Sequence, residues 1–344
     1  MCYAHVSPGI VESDFKTHGV RGLDLIFFFL SSMVAKSAVP LLSIISGWLL
    51  VGTLQAKPYG RLVQGKVRTL LAPMVLWNII LLVLIAGFTV ATGEDQWLPD
   101  TAMAWINGLF SLTGTPVNIQ LAFLRDLFVC ALAAPALAWA AIRAPLALLA
   151  ALALCAAFVP PNPVILRPEI ALFFAIGLVL RLHVVSLDRL ERAGPHAALA
   201  FGLTGTLLLY LQMQGLAGAW QVPQWAHNAL VLAVRLSAAL CFWWLAGVLL
   251  RSALAPIVIA AGSFVFLVFC SHVILFKALS LVGRDMLGGY YGVWYPLYFM
   301  VQPLAAFLAG WLLFRALRAR APGALAVLTG QPRQRGAAPA VESS

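Results

Sequence analysis

Charge is what this chain has least of. Only 10% of its 344 residues are charged, against 62% hydrophobic. Soluble domains carry roughly 25% charged residues, so an ordinary soluble domain is excluded. A mean hydropathy of +0.95 places the chain among membrane proteins. Cysteine is also sparse. Cys2, Cys130, Cys155, Cys241 and Cys270 are all there is. Four lie in apolar runs and none has CxxC or metal-like spacing, so they read as small buried hydrophobes and no metal site is indicated. GxGxxG, Walker, HExxH and GxSxG motifs are missing, which leaves soluble-type nucleotide, zinc-protease and hydrolase sites unsupported. No cleavable signal peptide is visible. No convincing internal repeat appears, which weakens an inverted-repeat transporter. Acidic residues are outnumbered, giving a net charge of +10. In a multi-pass protein that excess belongs to cytoplasmic loops rather than to nucleic-acid binding.

Long apolar runs are what is present. A spanning helix needs about 20 mostly apolar residues. Nine stretches fit, near 23–51, 70–92, 120–142, 145–158, 165–182, 196–212, 226–250, 254–278 and 292–317. Pro40 is expected to break or kink the first, because proline removes a backbone donor. The expected fold is all-α, a polytopic membrane helix bundle of about nine full spans.

The basic residues orient the bundle. Lys57, Arg61, Lys66 and Arg68 follow the first run, and Arg181, Arg189 and Arg192 follow the fifth. By alternation Arg143, Arg251, Arg315, Arg318, Arg320, Arg333 and Arg335 share that side. The other side holds Glu94, Asp95 and Asp100 and an uncharged segment, 214–224. The positive-inside rule puts the first set in the cytoplasm. The C-terminus is then inside, and the first nineteen or so residues are outside. This predicts a tenth span upstream, of which "MCYAH" is the last turn. The domain is expected to run over 1–318, followed by a disordered basic cytoplasmic tail over 319–344. Trp97 and Trp105, in the longest extracytoplasmic segment, read as interfacial anchors, with a sugar-stacking surface as the other reading.

Ionisable groups at membrane depth are costly and are functional hypotheses by default. "FLRDLF" places Arg125 beside Asp126 near the start of a span. The pair reads either as an interhelical salt bridge or with Arg125 as an electrostatic clamp for an oxyanion. "LRPEI" places Arg167 and Glu169 at another span's start, where they read as interfacial and structural. Arg235 lies well inside a span and is a candidate to line a cavity, as are Asp126 and His272. His272 reads equally as a hydrogen-bonded packing group. His183, His196 and His227 carry no specific signal. His18, with Glu12 and Asp14, reads as solvated or as part of a site. "RLVQGKVRTLLAP" presents Arg61, Lys66 and Arg68 before a span. These set topology, or they capture an anionic cytosolic donor such as an acyl-CoA.

The order of these elements carries a resemblance. "YAHVSPG", "AVPLLSIISGWLL", "RLVQGKVRTLLAPMVLWN" and "LAFLRDLFV" follow one another, with "LFFAIGLVL" and "GSFVFLVFCSH" later. The chain resembles, to about Arg320, the integral-membrane acyltransferase 3 family, whose members O-acylate polysaccharides, glucans, peptidoglycan and small molecules. The resemblance implies ten spans, so the first would be represented here only by its end. It implies acyl transfer from a cytosolic acyl-CoA, with no permanently bound cofactor, to a carbohydrate acceptor. His5 matches the family's essential histidine, as general base or nucleophile. An imidazole is mostly neutral near pH 7 and can take a hydroxyl proton. The basic loop would hold the donor, and Arg125 is the group expected to stabilise the tetrahedral oxyanion. Two family features have no match: an arginine some ten residues before the histidine, and a pair of arginines three residues apart in the loop.

The expected protein is an inner-membrane O-acyltransferase moving an acetyl- or succinyl-type group, in contact with the lipid bilayer and not with nucleic acid. A transporter or flippase of lipid-linked sugars, and a truncated inactive family member, are the alternatives.

Overall fold

The computed structural model describes residues 1–6, 22–93, 98–160, 162–216, 222–286 and 293–331. Glu12, Asp14, His18, Glu94, Asp95, Trp97, Arg333 and Arg335 lie outside the described residues. The described residues are helical with no strand. A short 3-10 turn, Cys2–His5, comes first. The helices are α1 (Gly22–Ala56), α2 (Tyr59–Thr92), α3 (Ala102–Phe110), α4 (Ile119–Arg143), α5 (Pro145–Phe158) and α6 (Pro168–Leu182). They continue as α7 (Leu187–Leu216), α8 (Gln224–Leu250), α9 (Ala255–Gly262), α10 (Val265–Met286), α11 (Tyr295–Arg320) and α12 (Pro322–Thr329).

Among the described residues, six helices are long and apolar enough to cross a membrane: α1, α2, α4, α7, α8 and α11. A seventh span arises if α9 and α10, bent by 69° at their junction, are one crossing. The expected nine full spans include two helices more than these seven. The difference lies in α5 and α6, of 14 and 15 residues. At 1.5 Å per residue each is ~22 Å long or less, short of a hydrocarbon core of about 30 Å. Because they are a consecutive pair, removing both leaves the alternation of every other helix unchanged. The protein is a multi-pass membrane bundle.

Proline shapes α1 without cutting it. Pro40 lacks an N–H and crowds the carbonyl one turn back. The helix answers by changing its winding, through a π segment at Leu30–Val34 and a 3-10 segment at Ala35–Ser37. A second π segment, Val67–Leu71, stands just before Pro73 in α2.

Two of the motif glycines meet in space. A Cβ on Gly47 would lie 2.0 Å from the Phe174 carbonyl oxygen, and one on Gly177 would lie 2.0 Å from that of Ile44. The α1–α6 crossing thus brings backbone against backbone, which only glycine permits on either side. Around it Phe174, Leu178, Leu50, Leu127 and Ile170 form the main apolar core. By contrast Leu199, Leu203, Leu207 and Tyr210 of α7 are exposed, the face expected to meet lipid.

Beyond the domain end expected at 318 the chain is still helical. The α11 helix runs to Arg320, and α12 packs back on α2, where the Trp77 indole donates to the Leu328 carbonyl at 3.1 Å. The described part of the tail expected to be disordered over 319–344 is largely helical, with Leu328 packed against the main apolar core.

Candidate active site

Polar side chains gather at the end of the bundle where α5 stops and α4, α6 and α8 begin. Asp126 is fully buried on the first turns of α4. Its carboxylate accepts from the Arg125 guanidinium at 3.0 Å and from the backbone N–H groups of Leu166 and Arg167 at 3.1 Å each. It thereby anchors the N-terminus of α6. Arg125 donates as well to the carbonyls of Val164 at 2.7 Å, Leu112 at 3.0 Å and Pro163. Both terminal nitrogens of Arg125 are committed to holding loops together. The salt-bridge reading of the pair, within one helix rather than between two, describes this geometry better than an oxyanion clamp.

Next to this knot a buried amide chain ties α2 to α10. Asn78 of α2 accepts the Asn118 N–H at 3.2 Å, and the Asn118 side chain donates to the Cys270 carbonyl at 3.0 Å. Gln120 donates to the same carbonyl at 3.2 Å. The Cys270 carbonyl of α10 thus accepts from two side-chain amides, and His272 follows two residues later.

His272 is only 1% exposed. Its Nδ1 stands 3.0 Å from the Val268 carbonyl and 2.8 Å from that of Phe269. Carbonyls only accept, so the ring proton sits on Nδ1 and the lone pair on Nε2. That Nε2 is buried without a hydrogen-bond partner among the described residues. An oriented imidazole with a bare basic nitrogen is the arrangement a proton acceptor needs. His272 is not among the residues that line the cavity described below. It touches His5, the two ring centroids being 5.3 Å apart with the planes tilted by 53°.

The 3-10 turn holds His5 in place through its neighbours. Tyr3 stacks on Phe299 of α11 at 5.3 Å, and Val6 is buried with Phe27, Phe28, Val268 and Phe276. His5 is thereby wedged between the π segment of α1 and helices α10 and α11. The charges of Arg167 and Lys36 act on it as well as His272.

Those two cations face a cavity of about 1070 Å³, bounded by α1, the end of α5, the start of α6, α7 and α8. Its ionisable lining consists of Lys36, Arg167, Glu169, His227 and Arg235. Arg235 is paired with Glu169 at 2.7 Å. Arg167 reaches Asp126 only at 3.9 Å through Nε, and its Nη2 has no hydrogen-bond partner among the described residues. The importance of Arg167 and Lys36 was missed in the sequence. Lys36 did leave a signal, a lone ammonium 14 residues into a 35-residue apolar helix.

The basic cluster stands apart. Arg61, Lys66 and Arg68 lie on the opening turns of α2 around the π segment, Arg61 and Arg68 exposed and Lys66 half-buried. Arg68 and Asn78 are ten residues apart on α2, about 15 Å along its axis. The two groups of residues therefore occupy different levels of the bundle. Trp105 is 41% exposed on α3, a short helix capped by the Thr101 hydroxyl. His183 is bonded to the Ala141 carbonyl at 2.9 Å.

The comparison with known families decides the class of protein. A family model described as an acyltransferase domain matches residues 1–315. The chain belongs to the acyltransferase 3 family. Among curated proteins it is similar to the succinoglycan biosynthesis protein ExoH of Rhizobium meliloti (strain 1021). The two are 31% identical over 314 residues, covering 90% of this chain and 82% of that one. No solved structure matches. The chain is thus a membrane acyltransferase, and the paired histidines and cationic cavity belong to an acyl-transfer enzyme.

Proposed function

We propose that this acyltransferase moves an acetyl- or succinyl-type group from an acyl-CoA to a hydroxyl of a cell-surface or periplasmic carbohydrate, with His5 and His272 at the reacting centre. The reading rests on one observation above all: His5 in ring contact with an imidazole whose only proton is held on Nδ1 by two carbonyls. A polysaccharide acceptor is supported by the similarity to a succinoglycan biosynthesis protein.

In this reading the acceptor hydroxyl gives its proton to His5 as its oxygen attacks the thioester carbonyl. The tetrahedral oxyanion forms beside the cationic wall. It collapses with expulsion of the CoA thiolate, which recovers the proton from His5. His272 packs its ring against His5 and offers its bare Nε2 as a second acceptor for the transferred proton. Arg125 contributes as the clamp that holds loop 163–164, not as the oxyanion partner. Arg61, Lys66 and Arg68 hold the phosphates of the donor. By the positive-inside rule that basic end and the C-terminus face the cytoplasm of a bacterial-type inner membrane, and the cavity end faces outward.

The test is purified protein in lipid nanodiscs with labelled acetyl-CoA or succinyl-CoA and a soluble oligosaccharide acceptor. Wild-type protein releases free CoA and labels the acceptor, and His5→Ala loses about 100-fold or more, the usual scale of a general base. Unchanged turnover in His5→Ala overturns the site. No thioester cleavage by the wild type overturns the acyl-CoA donor and leaves movement of lipid-linked sugars as the better reading.

A further inference from the structure

The C-terminal end of α12 rests on the part of α2 that carries the basic cluster. The Trp77 indole donates to the Leu328 carbonyl at 3.1 Å, Leu328 packs on the main core, and Thr329 and Gly330 are buried. Gly330 closes α12 at a φ of 65°, in the left-handed region that favours glycine. A Cβ there would lie 2.7 Å from the Thr69 Cα, 2.8 Å from the Arg68 carbonyl oxygen and 3.0 Å from a Pro73 ring carbon. Backbone is pressed on backbone at the π segment Val67–Leu71.

That segment is poorly held by its own ladder. The Ala72 N–H bonds to the Val67 carbonyl, five residues back. In that register the Arg68 carbonyl would take its bond from residue 73, and Pro73 has no N–H to give. The Arg68 carbonyl lies against Gly330 instead. Arg68 as a whole stays exposed, so its backbone is covered while its side chain is free to meet a ligand.

We propose that α12, ending in Gly330, is a positioning element of the donor site: it locks the π segment so that Arg68 meets the phosphates of the acyl-CoA. The proposal rests on the reading of Arg61, Lys66 and Arg68 as the donor-phosphate cluster. A cation fixed in place loses less freedom on binding than a mobile one, so a locked segment binds phosphate more tightly. A methyl added at Gly330 must push α12 and the Arg68–Thr69 backbone apart, which displaces Arg68 while leaving its guanidinium intact.

The test compares two acyl donors with one soluble oligosaccharide acceptor. Acetyl-CoA carries the phosphates, and S-acetylpantetheine is the same thioester without them. The measured quantity is the ratio of kcat/KM for acetyl-CoA over S-acetylpantetheine. Arg68→Gln lowers that ratio by about 10- to 100-fold, the scale of one charge-assisted hydrogen bond. Gly330→Ala lowers it by about 3- to 10-fold, a part of that loss, through KM for acetyl-CoA rather than kcat. A general weakening of the scaffold slows both donors alike and leaves the ratio at its wild-type value. That result in Gly330→Ala, with the ratio lowered in Arg68→Gln, overturns the proposal alone. A wild-type ratio in Arg68→Gln overturns the donor reading and the proposal with it.

Binding is read apart from turnover in His5→Ala protein, as the Kd for CoA. Adding Gly330→Ala weakens CoA binding by the same factor, so failure of the catalytic reading is distinguishable from failure of this one. Binding as tight as in the parent overturns the proposal. Should Gly330→Ala not fold, Trp77→Phe takes the indole N–H from the Leu328 carbonyl and keeps a ring in place. It loosens the same seat and lowers the same ratio, and a ratio equal to that of the wild type overturns the proposal there too.

Discussion

Two charged regions lie side by side at one end of the bundle, and they are finished differently. In the Arg125–Asp126 knot both terminal guanidinium nitrogens and both carboxylate oxygens have partners. Outside the knot, Arg167 Nη2 and His272 Nε2 are buried with none among the described residues. A saturated cluster has nothing left to offer a substrate, and its energy goes into holding loops. An unsaturated one retains a cost that a ligand or a proton can relieve. The contrast teaches that burial and charge alone do not separate a group that holds the scaffold from one with bonding capacity to spare. Arg125 and Arg167 are the same residue type within one cluster, and their uses diverge on that count.

The contrast breaks or holds on stability against activity. Asp126→Ala leaves Arg125 buried without its carboxylate and frees the start of α6. It should cost about 3–5 kcal/mol, seen as lost monodisperse protein in fluorescence-detected size-exclusion chromatography. Retention of full stability would dissolve the distinction between the two regions. His272→Phe keeps the ring's volume and removes both nitrogens. Its melting temperature should stay within a few degrees of wild type while acyl transfer falls about 100-fold, and a parallel loss of both would make His272 a packing residue.

Smaller effects calibrate the scaffold. Gly47→Ala drives a methyl into the Phe174 carbonyl and should cost about 1–3 kcal/mol. Gly177→Ala should do the same from the other side, and because the two share one crossing their costs should not add in a double-mutant cycle. Smallest is the exposed Arg251–Glu191 pair at 2.7 Å. Arg251→Gln should change stability by less than about 1 kcal/mol, as measured by thermal unfolding in the same detergent.

Some of the site was legible before any packing was known. His5 stood out because it opens a motif order that the rest of the chain continues, and the scarcity of charge made each intramembrane ion conspicuous. Helix lengths were less legible. Apolar content placed runs at 145–158 and 165–182, but it takes the helix ends, set by Ala144, Val159, Arg167 and His183, to leave α5 and α6 short. The ordered α12 was hidden for a similar reason, since its apolar face has meaning only against Trp77 of α2.

Composition and motif order were enough to establish a membrane acyltransferase of one family and to single out His5. Those properties are linear: hydropathy sums along the chain, and motifs are ordered along it. Which imidazole meets His5, which arginine is consumed by Asp126 and which is left facing the cavity are properties of distance between remote segments. They follow from helices crossing at Gly47 and Gly177 and from carbonyls that fix one proton on His272. No local pattern encodes them, because each depends on whether a partner arrives from another helix.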